Sequence, residues 1–596
     1  MPVVKFRIEK LDCHLHKWQK NLSQTQSLRL GLGLALFTFS GLLPWTESPQ
    51  ILFVFWLSSF FAFIFFVLRS RRQRTFIDKL SARKLFFSRV LARQKGHSPQ
   101  TKCGNLDRLP IDLQGVAKDL HLVGPSSVLA MINECVTDGG EQLLVKQLTE
   151  PTLEKSIIEG RQQLIQKLTR LAPFLSRLNT INLKKNQPLA AQFLKKSLMQ
   201  PILLKGFFIF AVGHGLLYPL TWTLVVLSLL GTIQWQPTLP LVAYIVFSFW
   251  SRGKISNVFS RAQDFGEHLR HLSPTFDFIE SRMHHPSLKP LVSNIQKAKI
   301  SHRLKSLDRI NAALSVQGHP LAYIGFNLIL PWDYIFSYRL ERWRKTFAQD
   351  LDLLMDELFA LEASISLSVF AHYQPVVFPK ISASKPALFE TQGLFHPLIP
   401  RDQVVPNDFS IPNDKRLILI TGSNMSGKST FMRTVGLNQK LAMMGAPVFA
   451  KSMTTFVGDV KTCLQVTDNL EAGYSTFYYE VKTIADLLKQ AENGATFIYL
   501  IDEIFRGTNN RERLIGSEAV LKRLISAQNA IGFVSTHDLE LAHLADTHSP
   551  ISNWHFRDDV ESGELKFSYK VHPGPCPTTN ALKIMAKAGL PVHLPS

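Results

Sequence analysis

Residues 416–430 read "RLILITGSNMSGKST", and this stretch decides the fold of the C-terminal part. The apolar run before Thr421 suits a buried strand, and glycine then appears at 422 and 427, followed by Lys428 and Ser429. That is the GxxxxGK[ST] spacing in its required setting of strand, loop and helix start. Glycines allow backbone N–H groups to curl around phosphate oxygens, and the following helix adds the positive end of its dipole. Gly422, Ser423, Asn424, Met425, Ser426, Gly427, Lys428, Ser429 and Thr430 are therefore the candidate phosphate cradle. In such a loop the lysine reaches the β and γ phosphates and the serine hydroxyl is a ligand of Mg²⁺.

Two further stretches match this reading. "ATFIYLIDEI" (495–504) is an apolar strand that ends in two carboxylates. At the carboxyl edge of a sheet, Asp502 suits Mg²⁺ and Glu503 suits the orientation or deprotonation of an attacking water. "IGFVSTHDLEL" (531–541) is another β-like run, and it places His537 where a side chain would meet the γ-phosphate or its water. Beyond residue 415 the alternation of short strands with amphipathic stretches predicts an α/β domain.

The N-terminal half follows a different pattern. "ILFVFWLSSFFAFIFFVL" (51–68) has no charge, and a shorter apolar run, "LGLGLALFTFSGLLPW" (30–45), precedes it. Residues 206–251 form a run of 46 without Asp, Glu, Lys or Arg. A bilayer crossing takes roughly 20 apolar residues. The two regions therefore predict two hairpins and four transmembrane helices, with the second turn near "GTIQWQP" (231–237). Arg69, Arg71, Arg72 and Arg74 follow the first hairpin, and Lys195, Lys196, Lys205, Arg252 and Lys254 flank the second. The positive-inside tendency then puts the N-terminus and the C-terminal domain in the cytoplasm of a multi-pass cell-membrane protein.

Formal net charge is +21, which favours anionic partners without choosing among nucleic acid, lipid headgroups and nucleotides. Residues 69–102 hold eleven Lys or Arg and a single acid, a cluster suited to anionic lipid, with DNA contact left open. The five cysteines form no CxxC pair, so neither a disulfide framework nor a zinc site is readable.

"DNLEAGYSTFYYEV" (468–481) resembles the signature loop of the MutS family, close to D-x-x-x-x-G-x-S-T-F-x-x-E. "DEIFRGT" (502–508), "STHD" (535–538) and the phosphate loop stand in that family's order. Upstream, "DLHLVGPSSVLAMINECVTDGGEQLLVKQLTEP" (119–151) is similar to the opening of its helical core, and "HPLI", "VPNDFSI" and "LAMMGAPVFAKS" fit as well. The resemblance implies an ABC-class ATPase that uses ATP and Mg²⁺ in a homodimer. It also implies that Gly473, Ser475 and Thr476 of one protomer face the phosphate loop of the other. Tyr569 in "KFSYKVHPG" is the implied adenine-stacking residue, with Val404 opposite, and Glu503 and His537 are the implied catalytic pair.

Family members also bind mismatched DNA. Here the N-terminal mismatch-reading domain is replaced by the first hairpin, so DNA binding and repair are implied by resemblance only. The expected fold is a C-terminal P-loop ATPase preceded by an all-α core that transmembrane hairpins interrupt. The boundaries read as a cytoplasmic segment (1–27), a hairpin (28–68), a basic linker (69–118), a first core half (119–205) and a second hairpin (206–251). A second core half or lever (252–380) and the ATPase domain (381–596) complete the chain. A transport or signalling machine without DNA recognition is the alternative function.

Overall fold

The computed structural model describes residues 2–42, 49–97, 103–181, 191–203, 206–232, 238–251, 256–318, 320–382, 389–464, 476–505, 509–561 and 564–577. In chain order the helices begin with α1 (Pro2–Leu42), α2 (Pro49–Gln94), α3 (Ile111–Asp119), α4 (Val128–Ile132) and α5 (Asp138–Thr149). Then come α6 (Lys155–Thr169), α7 (Ala172–Ile181), α8 (Ala191–Met199), α9 (Phe207–Leu229) and α10 (Thr238–Ser251). Next are α11 (Ser256–Arg282), α12 (Lys289–Ala298), α13 (Ile300–Leu314), α14 (Pro320–Ile329) and α15 (Trp332–Tyr373). The chain divides into two compact units, one of 1–134, 141–184 and 363–596, the other of 135–140 and 185–362.

In the first unit α1 and α2 lie antiparallel, one numbering up as the other numbers down. Asp12 pairs with Lys84 at 2.5 Å, the Trp18 and Phe76 rings meet at 4.7 Å, and Trp56 donates its indole N–H to Ser40 at 2.9 Å. Pro49 opens α2 with a residue that needs no N–H partner, and Gly96 stops the chain just beyond it at φ 82°. Residues 69–94, expected as linker, therefore continue the apolar helix without a break. Their far end is buried against the helical core: Phe86 and Phe87 pack edge-on to Tyr373, and Arg93 pairs with Glu134 while donating to the Asn133 carbonyl at 2.9 Å.

The rest of this unit carries two sheets. The smaller has the order β1 (Lys380–Ser382), β5 (Ser452–Phe456), β2 (Glu390–Leu394), β3 (Asn407–Ser410). The larger runs β10 (Glu564–Pro573), β9 (Ile551–Glu561), β4 (Leu417–Thr421), β8 (Ala530–Ser535), β7 (Phe497–Asp502), β6 (Asp459–Cys463), and is parallel except for the β9–β10 pair. Strands β4, β7 and β8 are buried at every residue, as the continuous apolar runs of a parallel sheet require. Helix α16 (Lys428–Met443) crosses this sheet almost wholly buried, and its polar residues serve as ties. Gln439 donates to Phe456 and Gly458 carbonyls, Asn438 accepts the Phe449 N–H, and Lys440 reaches Asp459 at 2.6 Å and the Thr149 carbonyl at 3.0 Å.

The second unit is helical, with Leu269, Phe276, Ile295, Leu307 and Phe347 in its core. Glu280 caps the start of α13 by accepting from the Ser301 N–H and hydroxyl, and the buried Glu341–Arg344 pair holds Ile202 and Leu198. Helices α9 and α10 form an apolar hairpin in this unit.

Four crossing helices are expected from the sequence, and two of the described helices are long and apolar enough to cross a membrane. They are the segment beginning at Phe53 in α2 and the whole of α9, with mean hydropathies of 1.9 and 1.5. Helix α10 has 14 residues, about 21 Å of helix, short of the ~30 Å hydrocarbon layer. Helix α1 is apolar only in its final third, from residue 30. The expected second turn lies mostly in 233–237, outside the described residues.

Candidate nucleotide site

The sheet order brings three loops to one edge. Strands β4, β8 and β7 are adjacent and parallel, so the phosphate loop, His537 and the 502–503 carboxylates emerge side by side from their carboxyl ends. A cavity of about 640 Å³ opens there. Asn424, Met425, Ser426, Gly427, Lys428, Ser429, Thr430, Asp502, Glu503, Val404 and Tyr569 all line it. Gly422 and Ser423 do not line it, but the Lys428 ammonium donates to both of their carbonyls at 2.8 Å.

The loop backbone explains its residue types. Gly422 and Gly427 sit at φ 141° and 109°, and Met425 between them at 69°. A Cβ on Gly422 would lie 2.8 Å from the Phe556 carbonyl oxygen, and one on Gly427 would press on the Tyr569 ring at 3.3 Å. These conformations turn successive N–H groups inward as an anion-binding nest. The hydroxyls of Ser423 and Ser426 are buried there without a hydrogen-bond partner among the described residues, donors of the kind a phosphate would satisfy.

At the carboxylate end, Asp502 accepts from Ser429 Oγ at 2.7 Å and from the Ser535 hydroxyl. Glu503 stands in the left-handed region at φ 55°, with its N–H donating to the Ser535 carbonyl at 3.2 Å. Its carboxylate meets His537 Nε2 at 2.9 Å, and Lys428 Nζ lies 3.5 Å from the same nitrogen. A hard cation with oxygen ligands fits the Ser429–Asp502 pair.

Tyr569 is delivered by a bulge in β10, where the pairing with β9 shifts register between Phe567 and Val571. It too has positive φ, 50°, and Asn407 braces it by donating to the Tyr569 carbonyl at 3.0 Å and accepting the Val571 N–H at 2.9 Å. Val404 lines the cavity from the turn after Pro400. Gly473 and Ser475 fall outside the described residues, and Thr476 opens α17 (Thr476–Glu492).

Several contributors escape a sequence reading. Glu480, the last letter of the signature pattern, is buried and its carboxylate accepts the Phe505 N–H at 2.5 Å. It thus ties α17 to the turn that follows Asp502 and Glu503. Asp119 accepts the Leu464 N–H at 3.0 Å where the signature loop departs, and its carbonyl takes Arg433 Nε at 3.0 Å. Ser535 precedes the histidine by two residues, within the "STHD" stretch, but its bond to Asp502 is not readable from the sequence.

His396 in "HPLI" also lines the cavity. Burial first, then the charges of His121 and Arg433, lowers its pKa to about 4. The folded state therefore resists a proton that the unfolded chain accepts near pH 6.5. Its contribution is complete above that pH and is lost as pH falls toward 4, by about 3 kcal/mol in all. His396→Asn, which keeps an acceptor for the Leu398 N–H, is expected to melt with a smaller acid-induced loss between pH 7 and 4.5 than the parent chain.

The family profile that matches is MutS domain V, over residues 418–594. The DNA mismatch repair protein MutS of an Exiguobacterium strain is 29% identical over 266 residues, 44% of this chain and 31% of the relative. The MutS of Lactobacillus johnsonii is 30% identical over 264 residues, 44% of this chain and 30% of that protein. The DNA mismatch repair protein MSH6 of Arabidopsis thaliana is 30% identical over 330 residues, 53% of this chain and 23% of that protein. The chain thus spans less than a third of the length of these relatives, and the MutS domain V region holds the phosphate loop, both carboxylates, His537 and Tyr569.

Proposed function

We propose that this chain is a membrane-anchored MutS-family ATPase that closes as a homodimer on ATP and reopens after hydrolysis. The convergence of Lys428, Ser429, Asp502 and Glu503 on one cavity, with His537 against Glu503 at 2.9 Å, carries the reading. Lys428 and the nest of loop N–H groups bind the phosphates, and Tyr569 and Val404 flank the base. Ser429 and Asp502 would hold Mg²⁺, which would supply positive charge to the phosphates when bound. Glu503 accepts the proton of the attacking water, while His537, hydrogen-bonded to it, fixes the carboxylate's direction. Ser475 of a second copy completes the site from across the dimer interface.

Anchoring is supported by the α1–α2 and α9–α10 hairpins, whose phenylalanines and leucines point outward: Phe55 is 57% exposed, Phe61 62% and Leu216 67%. Such a surface fits acyl chains. The mismatch-repair relatives make DNA the first candidate for what the ATPase senses, through the chain's basic residues. Turnover of the detergent-purified full chain, with homoduplex, mismatched and branched DNA and with anionic vesicles, tests this. DNA stimulation that weakens steeply with salt is expected. Stimulation by anionic lipid with no DNA response at any salt would remove DNA from the reading and leave the membrane as effector.

A further inference from the structure

Between Arg309 and Asp333 the chain has 23 residues without Asp, Glu, Lys or Arg, a run that interrupts two charged helices, α13 and α15. Its centre is α14, whose ten residues span about 15 Å, half of a bilayer's hydrocarbon layer. Within its unit α14 lies against the α9–α10 hairpin, with Phe249 and Tyr323 rings 6.0 Å apart.

The decisive feature is how α14 ends. A helix leaves its last four carbonyls without intrahelical partners, and on a wet surface water satisfies them. Here one is closed by an ordinary backbone bond from the residue after the helix, and side-chain donors reach the other three. The Phe326 carbonyl takes the Leu330 N–H at 3.0 Å, and Asn327 takes the Tyr244 hydroxyl at 2.9 Å. Leu328 takes the Trp222 indole N–H at 2.8 Å, and Ile329 takes the Tyr218 hydroxyl. Tyr218 and Trp222 are one turn apart on α9, so the hairpin presents a row of donors to this terminus. Trp332 then donates to the Ala313 carbonyl near the end of α13, at 2.8 Å. Side-chain donors on the three carbonyls that follow the last helical bond are what backbone needs at membrane depth, where nothing else will bond it. The side chains beside these caps are apolar and outward: Ile329 is 61% exposed, Leu330 41% and Phe326 39%.

We propose that residues 320–332 form a re-entrant membrane element, with α14 seated beside α9 and α10 among lipid acyl chains. The inference rests on the membrane reading of that hairpin. Because α13 and the first part of α15, up to Glu362, belong to one compact unit, the segment enters and leaves on the same side rather than crossing.

The test uses the full chain with its native cysteines replaced by serine, in phosphatidylethanolamine–phosphatidylglycerol vesicles containing acyl-brominated lipid. Bimane is attached at Phe326→Cys or Ile329→Cys, with Leu216→Cys on α9 as lipid reference and His302→Cys on α13 as aqueous reference. The expected result is quenching at 326 and 329 equal to that at 216, closure to aqueous thiol reagents, and no quenching at 302. Quenching at 216 without 326 and 329 would overturn the re-entrant element and leave the hairpin in place. No quenching at any of the three would overturn both. Should the cysteine-free chain misfold, a diazirine lipid cross-linked to the unmodified chain gives the same reading. Adducts within 326–332 support the element, and adducts confined to α9 and α10 overturn it.

Discussion

Glu503→Gln is expected to lower ATP turnover by about 10²–10⁴-fold, the usual loss when a general base is removed. Glutamine keeps the acceptor oxygen that meets His537 Nε2 at 2.9 Å, so the local geometry survives. Only the capacity to take the water's proton goes. The backbone already holds residue 503 at φ 55°, a conformation that costs a non-glycine residue about 1–3 kcal/mol and aims this side chain at the cavity. ATP affinity should stay close to that of the parent, because Lys428, Ser429 and Asp502 are untouched. Single-turnover hydrolysis beside nucleotide filter binding separates the two quantities. Unchanged turnover would assign the proton to another group, and lost binding would make Glu503 a ligand rather than a base.

Arg93→Met is expected to destabilise the first unit by about 3–5 kcal/mol, the range for stranding one member of a buried ion pair. Arg93 and Glu134 are both about 4% exposed, and the guanidinium also holds the Asn133 carbonyl at 2.9 Å. Methionine fills much the same volume, so the loss comes from the abandoned Glu134 carboxylate rather than from a cavity. The fall in melting temperature should be about 4–6 °C for a unit of this size. Arg93→Met combined with Glu134→Leu should regain most of it, because an apolar pair of similar volume can replace a buried ionic one. Melting of the purified chain in detergent, followed by tryptophan fluorescence, reports both variants. If the double variant is no more stable than Arg93→Met, packing rather than charge governs the junction.

The nucleotide cavity is the part most legible in the sequence, because its chemistry is local. Gly422, Gly427, Lys428 and Ser429 fall within eight residues, and each acidic or histidine partner follows directly on a buried strand. What joins these pieces is not local and escaped notice. Glu480 grips the Phe505 N–H, and Asn407 braces the bulge carrying Tyr569 across 162 positions of sequence. A carboxylate inside a helix and an asparagine opening a strand look the same whether or not something distant needs them. The basic stretch after residue 68 misled for the opposite reason. Charge composition suggested linker, yet the arginines and lysines are good helix formers and the apolar residues among them bury against the core. Helix α14 was overlooked because ten apolar residues are too few to stand out beside 46 uncharged ones.

The continuity of α2 has a mechanical consequence. From Gln50 to Gln94 it contains neither glycine nor proline, and its 46 residues extend about 69 Å. One end is bolted to the helical core through Arg93, Phe86 and Phe87, and the other lies in the apolar hairpin. An element with no hinge along its length behaves as a strut. A tilt of about 5° at the core end would sweep the far end through about 6 Å, given that length. Small rearrangements near the nucleotide cavity would then arrive at the hairpin as displacement, with little absorbed on the way.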